Sequence, residues 1–486
     1  MPNSPMLRSL MLPLALSLSL GGCGHVRQPQ SPGMAVPATR LIATPFAASA
    51  APPPSLSGAS GAPAENSVQS AFAHEILTTP VGALKNCDAL AAVHSYTPIA
   101  DASHYVVLSG GGPHGAFGAG FFLGLQEANL LPAEPAVVTG VSTGSLQSTF
   151  VFLARQAVPA DRKPYSWADG MAVARGDLKP GQSNLEDLAV AYSIAREGDI
   201  LKPSFTFLGV ALPLGGSVGT LAPLHDRLLK LITPQTIEAI AVEACRGRKL
   251  YVGAVSVDDG NAYAFNLTAL ALGVYDNGYP AAQNRMTLAR ESYVNALLAS
   301  SSVPIGALPV QLRMRDVDPG TIGHRTNLFI DGGARNGVFF SGANEARHTM
   351  AGMTKGGETD ISLVVNTVLG TGPWSLDNGN VKNPTTRWKL LSLITRSVDI
   401  LTDQAYQTSV AGVTDKADKL RVALLDGWHL PGQNPDDHEY AGQTCAQWHD
   451  ADAKAKPIEF YPQYMACLID YGRERGRKGL WNKQDQ

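Results

Sequence analysis

The chain has 486 residues, 44% of them hydrophobic and 16% charged, and 38 Lys and Arg against 41 Asp and Glu leave a net charge of −3. That composition supports a large core but supplies no basic field for a nucleic-acid backbone, so nucleic acid is not an expected partner. No internal run reaches the roughly 18 apolar residues that span a bilayer, which argues against a multi-span membrane protein.

Met1 to Cys23 has the layout of an export signal. Arg8 gives a positive charge, Leu10 to Leu20 is an apolar run interrupted by Pro13, and Leu20-Gly21-Gly22-Cys23 follows. A Cys directly after Leu-Gly-Gly resembles a bacterial lipobox. The resemblance implies that residues 1–22 are removed and that Cys23 carries a lipid anchor; Gly24 in place of Asp points to the outer membrane of the cell envelope. The alternative is an ordinary signal peptide with a chance Cys. From His25 to about Val68 the sequence is Pro-, Ala-, Ser- and Gly-rich with no apolar period. Residues 23–68 are therefore expected to be a disordered tether.

A folded body is expected over 69–426. His104 to Ser109 reads as a strand, Gly115 to Leu131 as a helix, Ala136 to Val141 as a strand and Thr143 to Val158 as a helix. Lys249 to Val257 and Ala262 to Leu267 read as strands joined by a turn at Asp258-Asp259-Gly260. Met286 to Ser300 reads as a helix, Asn327 to Ile330 and Ile361 to Thr367 as strands, and Thr386 to Val413 as one or two helices. Alternating strands and helices predict an α/β fold, three-layer α/β/α with a mostly parallel central sheet. Residues 427–486 form a polar C-terminal extension packed on this body, closing in a helix near Tyr461 to Lys478. The apolar stretch Phe205 to Leu214 is either a core strand with its loop or a membrane-facing flap.

Cys87, Cys245, Cys445 and Cys467 allow three disulfide pairings or four buried thiols. Cys445 and Cys467 are the closest pair, and a bond there is worth about 3 kcal/mol. With no C-x-x-C or His/Cys cluster, no metal site is predicted.

Gly140-Val141-Ser142-Thr143-Gly144 and Gly215-Gly216-Ser217-Val218-Gly219 both match G-x-S-x-G. A nucleophile elbow needs a strand before the Ser and a helix directly after it. Ser142 has both, with no Pro until Pro159, whereas Ser217 lies between Pro213 and Pro223. Ser142 is the candidate nucleophile, with Gly140 and Gly144 as its elbow glycines. Upstream, Gly110-Gly111-Gly112-Pro113-His114-Gly115 formally fits a dinucleotide fingerprint. That reading expects an acid at the end of the second strand, and Glu134 precedes the strand instead. A dinucleotide is thus not expected, nor any other cofactor. The same loop suits an oxyanion hole, with amides of Gly110, Gly111 and Gly112 aimed at a developing charge. Asp331, at the end of a strand before Gly332-Gly333, is a third candidate, though such an Asp is more often part of a turn.

Taken together these segments resemble the patatin-like phospholipase family. The resemblance rests on the Gly110–Gly115 loop with Ala116-Phe117-Gly118-Ala119-Gly120, on Gly140–Gly144, on Ala299-Ser300-Ser301-Ser302-Val303-Pro304 and on Asp331-Gly332-Gly333, in that order. It covers about Tyr105 to Val338. It implies a Ser–Asp dyad without histidine: Ser142 attacks the carbonyl and Asp331 takes its proton. It also implies an oxyanion held around Gly111 and Gly112, and membrane glycerolipid esters as substrate. His114 stands where the family usually has Arg or Lys, so a fixed positive charge is missing there. Two other readings remain: a Ser–His–Asp esterase using His348, His429, His438 or His449, and a non-catalytic lipoprotein of the same fold.

Overall fold

The computed structural model describes residues 33–41 and 83–484, except 100–102, 164–166, 204–205, 208–209, 212–218, 279, 317–323, 340–358, 371–389, 415–416 and 428–429. The export signal, Cys23 and Ser217 lie outside the described residues.

Ten described strands form one sheet: β1 (Val36–Leu41), β2 (His104–Leu108), β3 (Val137–Val141), β4 (Lys249–Ser256), β5 (Ala262–Asn266), β6 (Val310–Asp316), β7 (His324–Asp331), β8 (Asp360–Val365), β9 (Lys419–Leu424) and β10 (Lys483–Gln484). Their spatial order is β7-β6-β1-β5-β4-β3-β2-β8-β9-β10. The run β4-β3-β2-β8-β9 is parallel, as expected. Of the remaining pairings β1/β6 is parallel as well, but β4/β5, β5/β1, β6/β7, β7/β4 and β9/β10 are antiparallel, which corrects the expectation of a mostly parallel sheet. Short connections are the reason, since β4 to β5 and β6 to β7 are too close in sequence for a crossover.

β4 gives Lys249–Gly253 to β3 and then Ala254–Ser256 to β7. The pairings β4-β5-β1-β6-β7-β4 therefore close on themselves. This ring contains β1, which falls inside the segment expected to be a tether. Val36 and Ala38 are fully buried in it, so the tether reading fails over Val36–Leu41.

The helices used below are α1 (Ala83–Ala91), α2 (Gly115–Glu127), α3 (Thr143–Phe152), α4 (Asn184–Tyr192), α5 (Ala222–Leu231), α6 (Pro234–Cys245), α7 (Leu267–Leu272), α8 (Gln283–Ser301), α9 (Leu390–Thr414), α10 (Cys445–Ala453) and α11 (Pro462–Arg477). Strand residues alternate between two apolar clusters. Val106, Leu108, Val138 and Val252 join α2 to α5, α8 and α11, while Tyr105, Val107, Val137 and Leu363 join Val410 and Val413 of α9. That alternation is the period of a pleated strand buried on both faces.

The C-terminal extension is locked on at backbone distance. A Cβ at Gly120 or Gly124 of α2 would strike the carbonyl of Ile469 or Arg473, and one at Gly472 or Gly476 of α11 would strike that of Phe117 or Phe121. Disulfides join Cys87 to Cys245 and Cys445 to Cys467, tying α1 to α6 and α10 to α11. Of the stretch Phe205 to Leu214, the described residues Thr206–Phe207 and Val210–Ala211 pair with each other, apart from the main sheet.

Candidate active site

Ser142 directly follows β3 and is the N-cap of α3. Its backbone has φ 53° and ψ −126°, a region costly for a residue with a Cβ and typical of strained functional turns. The turn closes only with glycine beside it, because a Cβ at Gly140 would strike the Gly144 carbonyl and one at Gly144 those of Leu108 and Ser109. Three serines tether the elbow. The Ser142 amide donates to Ser300 Oγ at 3.0 Å, and the Ser142 carbonyl accepts from Ser145 Oγ at 2.6 Å and Ser301 Oγ at 3.1 Å. Ser300 Oγ in turn donates to the Gly253 carbonyl at 2.6 Å.

The neighbouring serine reaches the acid. The Asp331 amide donates to the Ser302 carbonyl at 2.9 Å, so the Ser300-Ser301-Ser302 run at the end of α8 links Ser142 to Asp331 physically. Asp331 Oδ1 accepts the Gly333 amide at 2.7 Å. The carboxyl also faces the Ser142 hydroxyl, yet Oδ2 is buried with no partner at ordinary hydrogen-bond geometry. The Ser142 contact is therefore looser than a full hydrogen bond, as such contacts are before substrate tightens them. Burial pushes the Asp331 pKa up to about 7, against the lowering effect of Ser142 and the Gly333 amide. Tyr406 of α9 closes over this pair, its own ionisation pushed up by burial and by Asp331.

Gly111 of the glycine loop has φ 148°, and a Cβ there would meet the Asn366 carbonyl. Beneath the loop lies a buried polar network. Asn366 donates to the Ser109 carbonyl at 2.9 Å and to Gln147 Oε1 at 3.0 Å, and Gln147 donates to the Gly115 carbonyl at 2.7 Å. The Gly110 amide donates to the Gly337 carbonyl at 3.2 Å. Gly110 is thus not available as an oxyanion donor, correcting the expectation for that residue. The amides of Gly111 and Gly112 bond to no described residue.

Ser142 stands where two cavities meet. One is apolar and is walled by Leu146, Phe150, Leu188, Ile200, Leu224 and Leu228. The other is more polar and is lined by Asp331, Asp399, Asp403, Tyr406, His449 and Tyr461. Gly112, Ser142, Val303 and Glu459 line both. His114 opens on the second cavity, its ring 6.0 Å from that of Tyr464. Burial, outweighing its Gly111 hydrogen bond, drives its pKa down to about 4. It is neutral at pH 7 and supplies no fixed charge.

No histidine among the described residues is hydrogen-bonded to Ser142 or Asp331. His438 pairs with Asp470 at 2.9 Å, and His449 stacks on Tyr461 at 4.4 Å. His348 and His429 lie outside the described residues. Glu134, weighed above as a ribose ligand, is paired with Arg246 and Arg248 at 2.6 and 3.3 Å. Among the described residues no group of three His, Cys, Asp or Glu is placed to hold a metal. Sequence reasoning missed Gln147, Asn366, Tyr406 and Glu459. The first two stand in unremarkable helix and strand-end positions, and the last two come from segments with no motif of their own.

No curated protein matches the chain. Among solved structures, the crystal structure of VipD from Legionella pneumophila matches at 11% identity and a TM-score of 0.25, covering 78% of this chain and 67% of that one; the likeness is too slight to bear on fold or function. The sequence model of the patatin-like phospholipases matches residues 106–343, which hold the glycine loop, the elbow, the serine run and Asp331. Residues 106–343 are thus a patatin-like phospholipase domain, of a family of lipid acyl hydrolases.

Proposed function

We propose that the protein is a serine acyl hydrolase that cleaves carboxylic esters of glycerolipids, of phospholipase A or lysophospholipase type. The observation that carries this reading is the position of Ser142, a strained elbow hydroxyl facing a buried carboxyl where an apolar cavity meets a polar one. Ser142 Oγ attacks the ester carbonyl as its proton passes to Asp331. The amides of Gly111 and Gly112 hold the resulting oxyanion, each donor being worth about 2.7–4 kcal/mol of barrier. Collapse expels the alcohol, which takes the proton back from Asp331 and leaves an acyl-Ser142 ester. Water then attacks, gives its proton through Asp331 to Ser142 Oγ, and releases the fatty acid. The apolar cavity takes the acyl chain and the polar one the alcohol part. A base with a pKa near 7 is matched to work at neutral pH, which free Asp at about 3.9 is not.

A fluorophosphonate probe tests the reading. The wild-type chain labels and Ser142→Ala does not, with turnover of a nitrophenyl ester and of phospholipid falling at least about 10³-fold. Asp331→Asn loses about 10²–10⁴-fold while remaining folded. Folded wild-type protein that neither labels nor turns over would return the chain to the non-catalytic reading. The N-terminal expectations extend the proposal. With residues 1–22 removed and Cys23 lipidated, the enzyme sits at the outer membrane of the envelope, an oxidising setting in which its disulfides persist. Radiolabelled palmitate entering the wild type but not Cys23→Ser is the outcome expected.

A further inference from the structure

The C-terminal extension brings a carboxyl into the site that no motif announced. Glu459 lies in the connection between α10 and α11. The Glu197 carboxylate holds that connection by accepting three consecutive amides, from Ile458 at 2.9 Å, Glu459 at 2.6 Å and Phe460 at 2.9 Å. With its backbone so fixed, the Glu459 side chain is aimed at the glycine loop: Oε1 lies 2.7 Å from where a Cβ on Gly112 would stand. It is half-buried and lines both of the cavities that share Ser142. Its carboxyl has no hydrogen-bond partner among the described residues.

Everything charged that acts on Glu459 is negative. Burial first, then Asp331, Glu197 and Asp399, push its pKa up to about 7. Asp403 lies farther along the same cavity. His114 is neutral, and neither it nor His449 is among the groups acting on Glu459. Arg396 acts on Asp399 and is not among the groups acting on Glu459. Two carboxyls sharing such a cavity ionise in sequence rather than together. When Asp331 has lost its proton to serve as base, Glu459 holds on to its own. A carboxyl kept neutral in this way is a hydrogen-bond donor.

We propose that Glu459 is an additional catalytic residue, a protonated carboxyl beside Gly112 that donates a hydrogen bond to the ester oxygen becoming the oxyanion. It supplements the two loop amides at a position where the family's usual cation is replaced by the neutral His114. Glu459 keeps its proton throughout. The Ser142 proton still shuttles through Asp331 to the leaving alcohol, and no further proton is consumed. Glu197 is then a positioning residue, acting through the backbone it holds. The inference rests on Ser142 being the nucleophile.

The test compares full-length wild type, Glu459→Gln and Glu459→Ala on a short, soluble nitrophenyl ester from pH 5 to 9.5. Fluorophosphonate labelling of Ser142 and melting temperature are followed in parallel. Wild-type kcat rises as Asp331 ionises and falls again as Glu459 loses its proton. Glu459→Gln keeps a neutral donor, so it stays within about fivefold of the wild-type maximum and loses the alkaline fall. Glu459→Ala lowers kcat at least tenfold near pH 7, with KM within threefold. The proposal is overturned if Glu459→Ala stays within threefold of wild-type kcat, or if Glu459→Gln keeps the alkaline fall. It is equally overturned if both variants lose activity only in step with a lowered melting temperature, the mark of a structural role. A wild type whose Ser142 does not label removes the hydrolase reading itself, and this inference with it.

Discussion

An unfolded chain ionises Asp331 near pH 3.9, the folded chain only near pH 7 because the carboxyl is buried. The folded state therefore binds more protons between these values, and stability falls as pH rises through that window. The loss begins above the unfolded pKa and is complete above the folded one. Asp331→Asn removes the ionisation and should raise stability at pH 8 by on the order of 1–3 kcal/mol, the gain shrinking toward pH 4. Calorimetric melting at pH 8 and pH 4.5 checks this, and a variant that melts below wild type at pH 8 contradicts it. On the proposed mechanism the same substitution lowers turnover about 10²–10⁴-fold, so one side chain would trade stability for a base. As candidates, Ser142, Asp331, Gly111 and Gly112 were legible in the sequence because the chemistry proposed for each comes from immediate neighbours: a strand end, a glycine, a helix start. Gln147, Asn366 and Glu459 were not, because what makes them part of the site is a contact across 219 residues for Gln147 with Asn366 and 262 for Glu459 with Glu197. Gly110 was misassigned for a related reason, since the partner that occupies its amide, Gly337, comes from a different part of the chain.

The helix pair α2–α11 shows how an element distant in sequence shapes the site. Glycines at Gly120, Gly124, Gly472 and Gly476 let the two backbones touch. Phe117 and Phe121 of α2 stack at 5.8 Å, and the buried Arg475 of α11 lies 5.1 Å over the Phe117 ring while donating to the Leu424 carbonyl at 2.6 Å. α2 begins at the glycine loop and α11 follows the connection bearing Glu459, so their contact sets the distance between the two. Gly472→Val would push its side chain into the Phe117 carbonyl. Overpacking of this kind costs about 1–3 kcal/mol, with a further small loss from a β-branched residue in a helix. A lowered melting temperature together with weaker Ser142 labelling is expected; wild-type values for both would show that the pair tolerates separation. Most of the strands around the site read correctly because their apolar runs are continuous. β6, with the sequence Val-Gln-Leu-Arg-Met-Arg-Asp, did not, because its alternating charges look like surface, and β9 went unseen beside the strong helical pattern of α9.

At the scale of the molecule the largest revision is the sheet. Its parallel half follows from strand–helix alternation, but its other half is a ring of five strands closed by β7 returning to β4. β1 is the member of that ring that composition hid. Val-Pro-Ala-Thr-Arg-Leu lies in a Pro- and Ala-rich stretch, and only a tertiary slot between two waiting strands makes it a strand. Ala38 to Leu41 pair with Phe265 to Ala262 on one side, and Val36 to Ala38 with Met314 to Asp316 on the other. The Met34 carbonyl accepts from Ser292 of α8 at 2.8 Å, the helix whose end carries the serine run under Ser142. A chain that begins at residue 69 removes this strand, opens two unpaired sheet edges and uncovers the buried face of β5, whereas one that begins at residue 33 keeps them closed. Exposed apolar edges of this kind are aggregation templates. The shorter chain should therefore be largely insoluble, or melt well below the longer one and fail to label at Ser142. Equal solubility, melting temperature and labelling of the two chains would mean that the ring is held without β1 and that the elbow does not depend on it.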